Sequence, residues 1–182
     1  MCPVTTSYDL IVDAAQAVVL EMGAAHMTLD AVAAKAGLSK GGLLYHFPTK
    51  EALLRAMLNR RVQRLEKVRK EKRAEFPDGP TREIKAYVLS LLARDRKTER
   101  ISAGLLASAA YNPRLLEPLR SDYKKVLTEL TLTGLRLERA AVIVLAAHGL
   151  RLLEILSLSP FKDKQRKQVI EEMLRLADEE IQ

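Results

Sequence analysis

Residues 28–47 read TLDAVAAKAGLSKGGLLYHF, and the fold follows from how this stretch is parsed. Thr28 stands before an apolar-periodic run and suits an N-cap, with Asp30 placed at the positive end of the helix that follows. That helix is predicted to reach about Ala36, where Gly37 supplies the positive φ of a tight turn. Ser39 caps a second short helix that ends near His46-Phe47-Pro48, since proline forbids simple continuation. Ala33 is small where two helices must cross, and Leu38, Leu43 and Leu44 supply an apolar inner face. In this order the residues meet the requirements of a helix-turn-helix. An ordinary helical hairpin meets them too, and stays open at this point.

Working outward, Tyr8–Ala24 carries Leu10, Ile11, Ala14, Ala15, Val18, Val19 and Met22 at helical spacing, with Gly23 as its stop. Thr49 opens a long helix to about Glu75, with Leu53, Leu54, Met57, Leu58, Val62, Leu65 and Val68 along it. Pro77-Asp78-Gly79-Pro80 is the clearest break in the chain. Helices of about sixteen residues are predicted from Thr81, including a small-residue segment, Ser102–Ala110, that allows close approach. Asn112-Pro113 starts a helix to about Leu132. Glu138–Leu158 is a strongly apolar helix broken by Ser159-Pro160, and Lys164–Ile181 is amphipathic. The expectation is an all-α chain of about nine helices. A three-helix helix-turn-helix domain spans 1–48 and a helical domain 49–182, with helix 49–75 connecting the two.

The composition agrees. Hydrophobic residues are 48%, aromatics only 4%, and tryptophan is absent, a mix that favours helix over sheet. The one cysteine, Cys2, excludes an internal disulfide and any multi-cysteine metal site. The longest apolar stretch, Ala140–Leu150, is interrupted by His148 and is far short of the ~20 residues of a membrane span. The N-terminus has no basic start and no apolar core of a secretory signal. A soluble, cytoplasmic protein is expected. The net charge of +7 is concentrated: residues 48–75 hold ten bases and four acids, whereas 1–47 are net acidic at −2. A basic block suits nucleic acid or an anionic surface, and equally a solvated helix face.

Ser39–Leu53, SKGGLLYHFPTKEAL, resembles the signature of the TetR family of bacterial transcriptional regulators, and Thr28–Ser39 is similar to it as well. The resemblance is specific over about 8–58 and extends beyond only in length and helix rhythm. It implies a DNA-binding N-terminal domain and a C-terminal domain for ligand binding and dimerisation. It also implies a homodimeric repressor released from a palindromic operator by a small molecule. Ser39, Lys40, Gly41 and Gly42 open the second helix of the motif, whose free N–H groups and positive dipole suit phosphate. Consecutive glycines cost about 1 kcal/mol each in a helix relative to alanine. Close approach to DNA is one offset, and a frayed helix start is the other reading. The resemblance gives Tyr45 and His46 as a backbone-contacting aromatic pair and Lys50 as a phosphate-binding lysine. Tyr45 otherwise packs half into the core and His46 is a surface histidine. Thr28 is placed to bond phosphate through its hydroxyl and N–H. Few bases in 1–47 predict modest electrostatics unless Arg60, Arg61 or the Met1–Ser7 arm reaches the DNA. The bases of 60–75 are expected to be solvated or to face the second domain.

Helix 138–158 is apolar nearly all round and is therefore expected to be buried on two sides, with helix 164–181 and their two-fold mates forming a dimer seam. Leu153 and Leu174 are taken as seam residues. His148, Arg151 and Glu154 form a slanted polar stripe: a pocket anchor, or a hydrogen-bonded stripe at seam or surface. Tyr87 and Tyr111 are the other pocket candidates, or simply core. No Glu-x-x-His or His-Glu-x-x-His pattern and no Gly-rich phosphate loop is present, so neither enzyme chemistry, metal nor cofactor is expected. A helical protein-interaction or architectural module without a DNA site is the alternative from another class.

Overall fold

The computed structural model describes residues 6–179, and among them are nine α-helices, one 3-10 turn and no strand. They pack as two compact units: the chain up to Arg61 together with Asp95–Leu119, and Val62–Arg94 together with the residues from Arg120 onward.

In the first unit, α1 (Ser7–Met22) is capped by Thr6, whose hydroxyl accepts from the Asp9 N–H at 3.2 Å, and is ended by Gly23 at φ 83°. Its buried face is Ile11, Val12, Ala14, Ala15, Val18 and Val19. Leu10 and Met22, counted with that face from spacing, are exposed. The buried arc follows the doublets 11/12, 14/15 and 18/19, position 10 falls about 40° beyond its Ala14 edge, and Met22 is the last residue of the helix. Helices α2 (Leu29–Ala36) and α3 (Lys40–His46) follow, and the first half of α4 (Lys50–Arg73) closes the core with Leu53, Leu54, Met57 and Leu58.

Helix α6 (Arg96–Tyr111) belongs to this unit and packs on α1. The small-residue segment acts at Gly104: a Cβ there would stand 3.2 Å from Val19 Cγ1 and 3.3 Å from Ala24 Cβ. Arg100 donates to the Leu20 carbonyl at 2.7 Å, satisfying one of the carbonyls that the end of α1 leaves over. Gly104→Val is expected to lower the melting temperature by roughly 3–10 °C, since overpacking costs about 1–3 kcal/mol. A valine variant as stable as the parent would show that this crossing yields easily.

The second unit holds the rest of α4, then α5 (Arg82–Leu91), α7 (Glu117–Leu132) from Arg120 on, α8 (Leu137–Ile155) and α9 (Asp163–Asp178). Its core is built on Ile84, Val88, Val126, Leu130, Ile143 and Met173. Helix α5 has 10 residues, shorter than expected. Asp95 takes the N–H groups of Lys97 and Thr98 and starts α6. An aspartate before a charged run reads from sequence as one more surface charge, yet its side chain is the better N-cap. A 3-10 turn, Pro113–Leu116, precedes α7. Helix α8 ends three residues before Leu158, where Ser157 adopts φ 57°. Lys85 and Thr81 both reach Asp178, at 2.6 and 3.0 Å, joining the start of α5 to the end of α9. The expected end of the last helix at Ile181 lies outside the described residues.

Helix α8 is buried on one side within the chain: Ala140, Ile143, Val144, Ala147, Leu150 and Arg151. Val142, Leu145 and Leu152 on its other side are exposed, Leu145 at 69%. Leu153 and Leu174 are half-buried within the chain.

Candidate nucleic-acid interface

Local capping shapes the motif. Thr28 Oγ1 accepts the Ala31 N–H at 3.1 Å, which leaves its own O–H to donate outward. Gly37 sits at φ 68° and ends α2 with two bonds, Gly37 N–H to Ala34 O at 3.2 Å and Leu38 N–H to Ala33 O at 3.0 Å. That paired pattern is a Schellman ending, and it turns the chain sharply into α3. Ser39 Oγ accepts the Gly42 N–H at 3.1 Å. Leu43 is fully buried and Phe47 nearly so, with the Phe47 ring centroid 4.9 Å from that of Tyr8; these two side chains anchor α3 to the core.

The other face of α3 is open. Tyr45 is 86% exposed and meets His46 edge to face at 5.2 Å. So high an exposure leaves Tyr45 no half-core role. A Cβ at Gly41 would meet nothing within 4 Å, and one at Gly42 only Ser39 Oγ at 3.3 Å. Packing within the chain therefore gives no reason for glycine at 41. Lys40 pairs with Asp30 at 3.0 Å across two exposed side chains, a bond of ~0–1 kcal/mol that a phosphate can displace. Lys50 donates one of its three protons to the Ala25 carbonyl at 3.0 Å, which ties the loop before α2 to the start of α4.

The acidity of the first 47 residues is neutralised locally. Asp9 and Asp13 both pair with Arg60, at 2.7 and 2.5 Å, Glu21 pairs with Lys35 at 2.5 Å, and Asp30 with Lys40. The Thr6 hydroxyl, with Arg60 assisting, holds the Asp9 carboxyl below its ordinary value. Arg60 is thus committed to α1. Further along α4, Arg69 pairs with Glu129, Lys70 with Glu66, Lys72 with Glu75 and Arg73 with Glu83. Arg55 is exposed and makes no ion pair among the described residues. Spacing alone gave no sign of which bases would be spent on acids from distant segments. Met1–Thr5 lie outside the described residues.

The second unit holds the remaining candidates. Tyr87 is buried, and its hydroxyl lies 2.6 Å from His148 Nε2; Tyr123 Oη lies 3.4 Å from Nδ1. Arg151 is buried on the inner side of α8. Glu154 is held by Arg166, which also donates to the Leu92 carbonyl at 2.7 Å. The Tyr111 side chain lies outside the described residues. A cavity of about 10 Å³ is lined by Leu65, Glu66, Arg69, Tyr87, Leu91 and Asp122, together with Ser90. Of the sequence candidates Tyr87 alone lines it. Arg69 and Asp122, which also line it, stand on separate helices and carry no sequence motif. Among the described residues no cluster suits a metal ion, and no helix is long and apolar enough to cross a membrane.

A capped helix with one open face, presented by a Schellman turn after a second short helix, has the geometry of a helix-turn-helix. The family model described as bacterial regulatory proteins, tetR family, matches residues 11–57, and that of the tetracyclin repressor-like C-terminal domain matches 81–178. The chain belongs to the TetR family of DNA-binding transcriptional regulators. It is similar to a transcriptional regulator from Rhodococcus sp. Rha1 at 25% identity and TM-score 0.77, over 94% of this chain and 96% of that one. It is also similar to the multidrug binding protein EbrR complexed with ethidium, at 25% identity and TM-score 0.69, over 94% and 98%. The fatty acid degradation regulator FadR from Bacillus halodurans shares the fold, at 21% identity and TM-score 0.70 over 93% of each chain. No curated protein matches.

Proposed function

We propose that this regulator is a homodimeric repressor, working in the cytoplasm without catalysis and released from a palindromic operator by a small molecule. The observation that carries the DNA half is the open face of α3: an 86% exposed tyrosine beside a glycine that the chain's own packing does not require. In this reading residues 1–48 bind DNA and 49–182 bind effector and dimerise. The start of α3 at Ser39, Lys40, Gly41 and Gly42 approaches the duplex, with the Gly42 N–H kept by Ser39 Oγ. Tyr45, His46, Lys50 and the Thr28 hydroxyl hold phosphates on either side. Dimerisation through α8 and α9 places two copies of α3 about 34–36 Å apart, one turn of DNA. The effector half is supported by the small cavity among α4, α5 and α7, and by EbrR, solved with ethidium and with imidazole. Tyr87, His148 and Arg151 remain the sequence candidates for the surrounding pocket, with Tyr111. The element we assign to coupling is α4, one unbroken helix from Lys50 to Arg73. A tilt of α4 would alter the separation of the recognition helices, and such coupling is typically ~1–3 kcal/mol.

The test is a gel shift on DNA upstream of the protein's own gene over a salt series. With every acid of 1–47 paired and Arg60 committed, few phosphates are neutralised. The slope of log K on log salt is therefore expected to be shallow, ~2–4 per half-site at ~0.9 per phosphate. Tyr45→Ala with Lys50→Ala should weaken binding at least ~10-fold for all sequences alike and lower the slope by ~1 per half-site. Unchanged affinity in that variant removes this contact scheme, and no shift on any DNA returns the chain to the architectural reading.

A further inference from the structure

The first 47 residues carry two basic side chains of the lysine or arginine kind, Lys35 and Lys40, and each is held by an acid of the preceding helix. Lys40 opens α3, and its Nζ lies 3.0 and 3.1 Å from the two carboxylate oxygens of Asp30, in the first turn of α2. Both side chains are open to solvent. Asp30 follows the Thr28 cap by two residues and grips the first residue of α3, so it stands among the groups assigned above to the duplex. The α2 dipole favours an acid in its first turn. A duplex does not, because its phosphates repel an exposed carboxylate brought close to them. What the carboxylate does there is set by its effect on Lys40.

Phosphate contacts raise affinity for every sequence alike, whereas base contacts and duplex shape tell sequences apart. A free lysine at the start of a recognition helix is a phosphate contact on any DNA. Paired with Asp30 it is part of a neutral unit, which releases no counterion when the protein lies loosely on a duplex. Close docking of α3 changes the competition, since it brings a phosphate or a guanine edge within reach of Nζ. An exposed ion pair is weak enough to yield to either. Specificity is a difference of affinities, and weakening the wrong complexes raises it as surely as strengthening the right one.

We propose that Asp30 is a specificity-determining residue that touches no DNA: it holds Lys40 away from non-operator duplexes and gives it up only to an operator docked against α3. This rests on the DNA-binding reading above and assigns a role to an acid that the contact scheme leaves out. In the loose complex the pair stays closed, and the start of α3 adds nothing to sequence-independent affinity. In the operator complex Lys40 turns to the duplex, and Asp30 is left to solvent at the start of α2, where the helix dipole steadies it.

The experiment is fluorescence anisotropy of the full chain over a salt series on two duplexes: the upstream fragment that the parent shifts, and a scrambled duplex of the same length and composition. Asp30→Asn is expected to tighten the scrambled duplex roughly 5–50-fold at about 0.1 M salt and to steepen its salt slope by ~0.9 per half-site, one more phosphate neutralised. The gain on the upstream fragment should be smaller, because Lys40 has already left Asp30 there, so the ratio of the two affinities falls. Glu75→Gln makes the same change in net charge and frees Lys72 at the end of α4. It should leave both affinities within about 2-fold, as expected of a screened charge outside the motif. In a Lys40→Ala background Asp30→Asn should bring little gain, since no lysine is left to free. Melting curves check that each variant is folded. The inference is overturned by scrambled-duplex binding indifferent to Asp30→Asn, by an equal gain from Glu75→Gln, or by a full gain without Lys40. A gain on the upstream fragment as large as on the scrambled duplex overturns it as well. A parent that shifts no DNA sinks the DNA reading and this inference together, whereas a parent that shifts DNA beside an indifferent Asp30→Asn sinks this inference alone.

Discussion

Leu145→Glu together with Leu152→Glu is expected to turn the proposed dimer into a monomer and to cost operator affinity by a factor of roughly 10²–10⁴. Both leucines lie on the exposed side of α8, seven residues or two turns apart, with Val142 one turn before Leu145. In a two-fold seam each substitution occurs twice, so four carboxylates enter an apolar surface without partners. Each costs several kcal/mol unless it finds a counter-charge. An obligate interface of this kind buries upwards of ~2,000 Å², and four buried carboxylates are enough to break it. The variants should still fold, because neither side chain serves the chain's own core. Loss of dimer costs DNA affinity because the second half-site is then no longer bound at high effective concentration. Light scattering at micromolar protein reads the mass directly. A parent of one-chain mass, or a double variant that stays dimeric, removes α8 from the interface.

Gly41→Ala is expected to stabilise the protein and to weaken its hold on DNA, a combination that no folding defect produces. The Cβ would meet nothing in the chain and Gly41 lies within α3, so alanine gains ~0.5–1 kcal/mol of helix propensity. For a chain of this length that is a rise in melting temperature of about 1–4 °C. Operator affinity should fall at least ~10-fold, since in the proposed contact scheme the added methyl stands where the duplex backbone or a base edge approaches. Gly41→Leu should be as stable and bind less well still. Alanine that leaves affinity intact means that the duplex does not approach α3 at this residue. At Gly42 the added Cβ would press on Ser39 Oγ at 3.3 Å, so fold and binding are not separable there.

The motif was legible in the sequence because its physics is local. Thr28, Gly37 and Ser39 act on N–H and C=O groups within a few residues of themselves, so the order of residues carries the geometry. The breaks at Pro77–Pro80 and Asn112–Pro113 were legible for the same reason. Tertiary structure alone decided which side of α8 stays exposed, because a helix apolar all round carries no mark of which arc its own chain will cover. It also decided that Arg60 is spent on Asp9 and Asp13, 51 and 47 residues away, and that α6 settles on α1 through Gly104. The pairing of Arg69 with Glu129, 60 residues away, belongs here too. Each depends on which distant segments meet, and a partner many residues away leaves no periodicity or cap at the position it chooses.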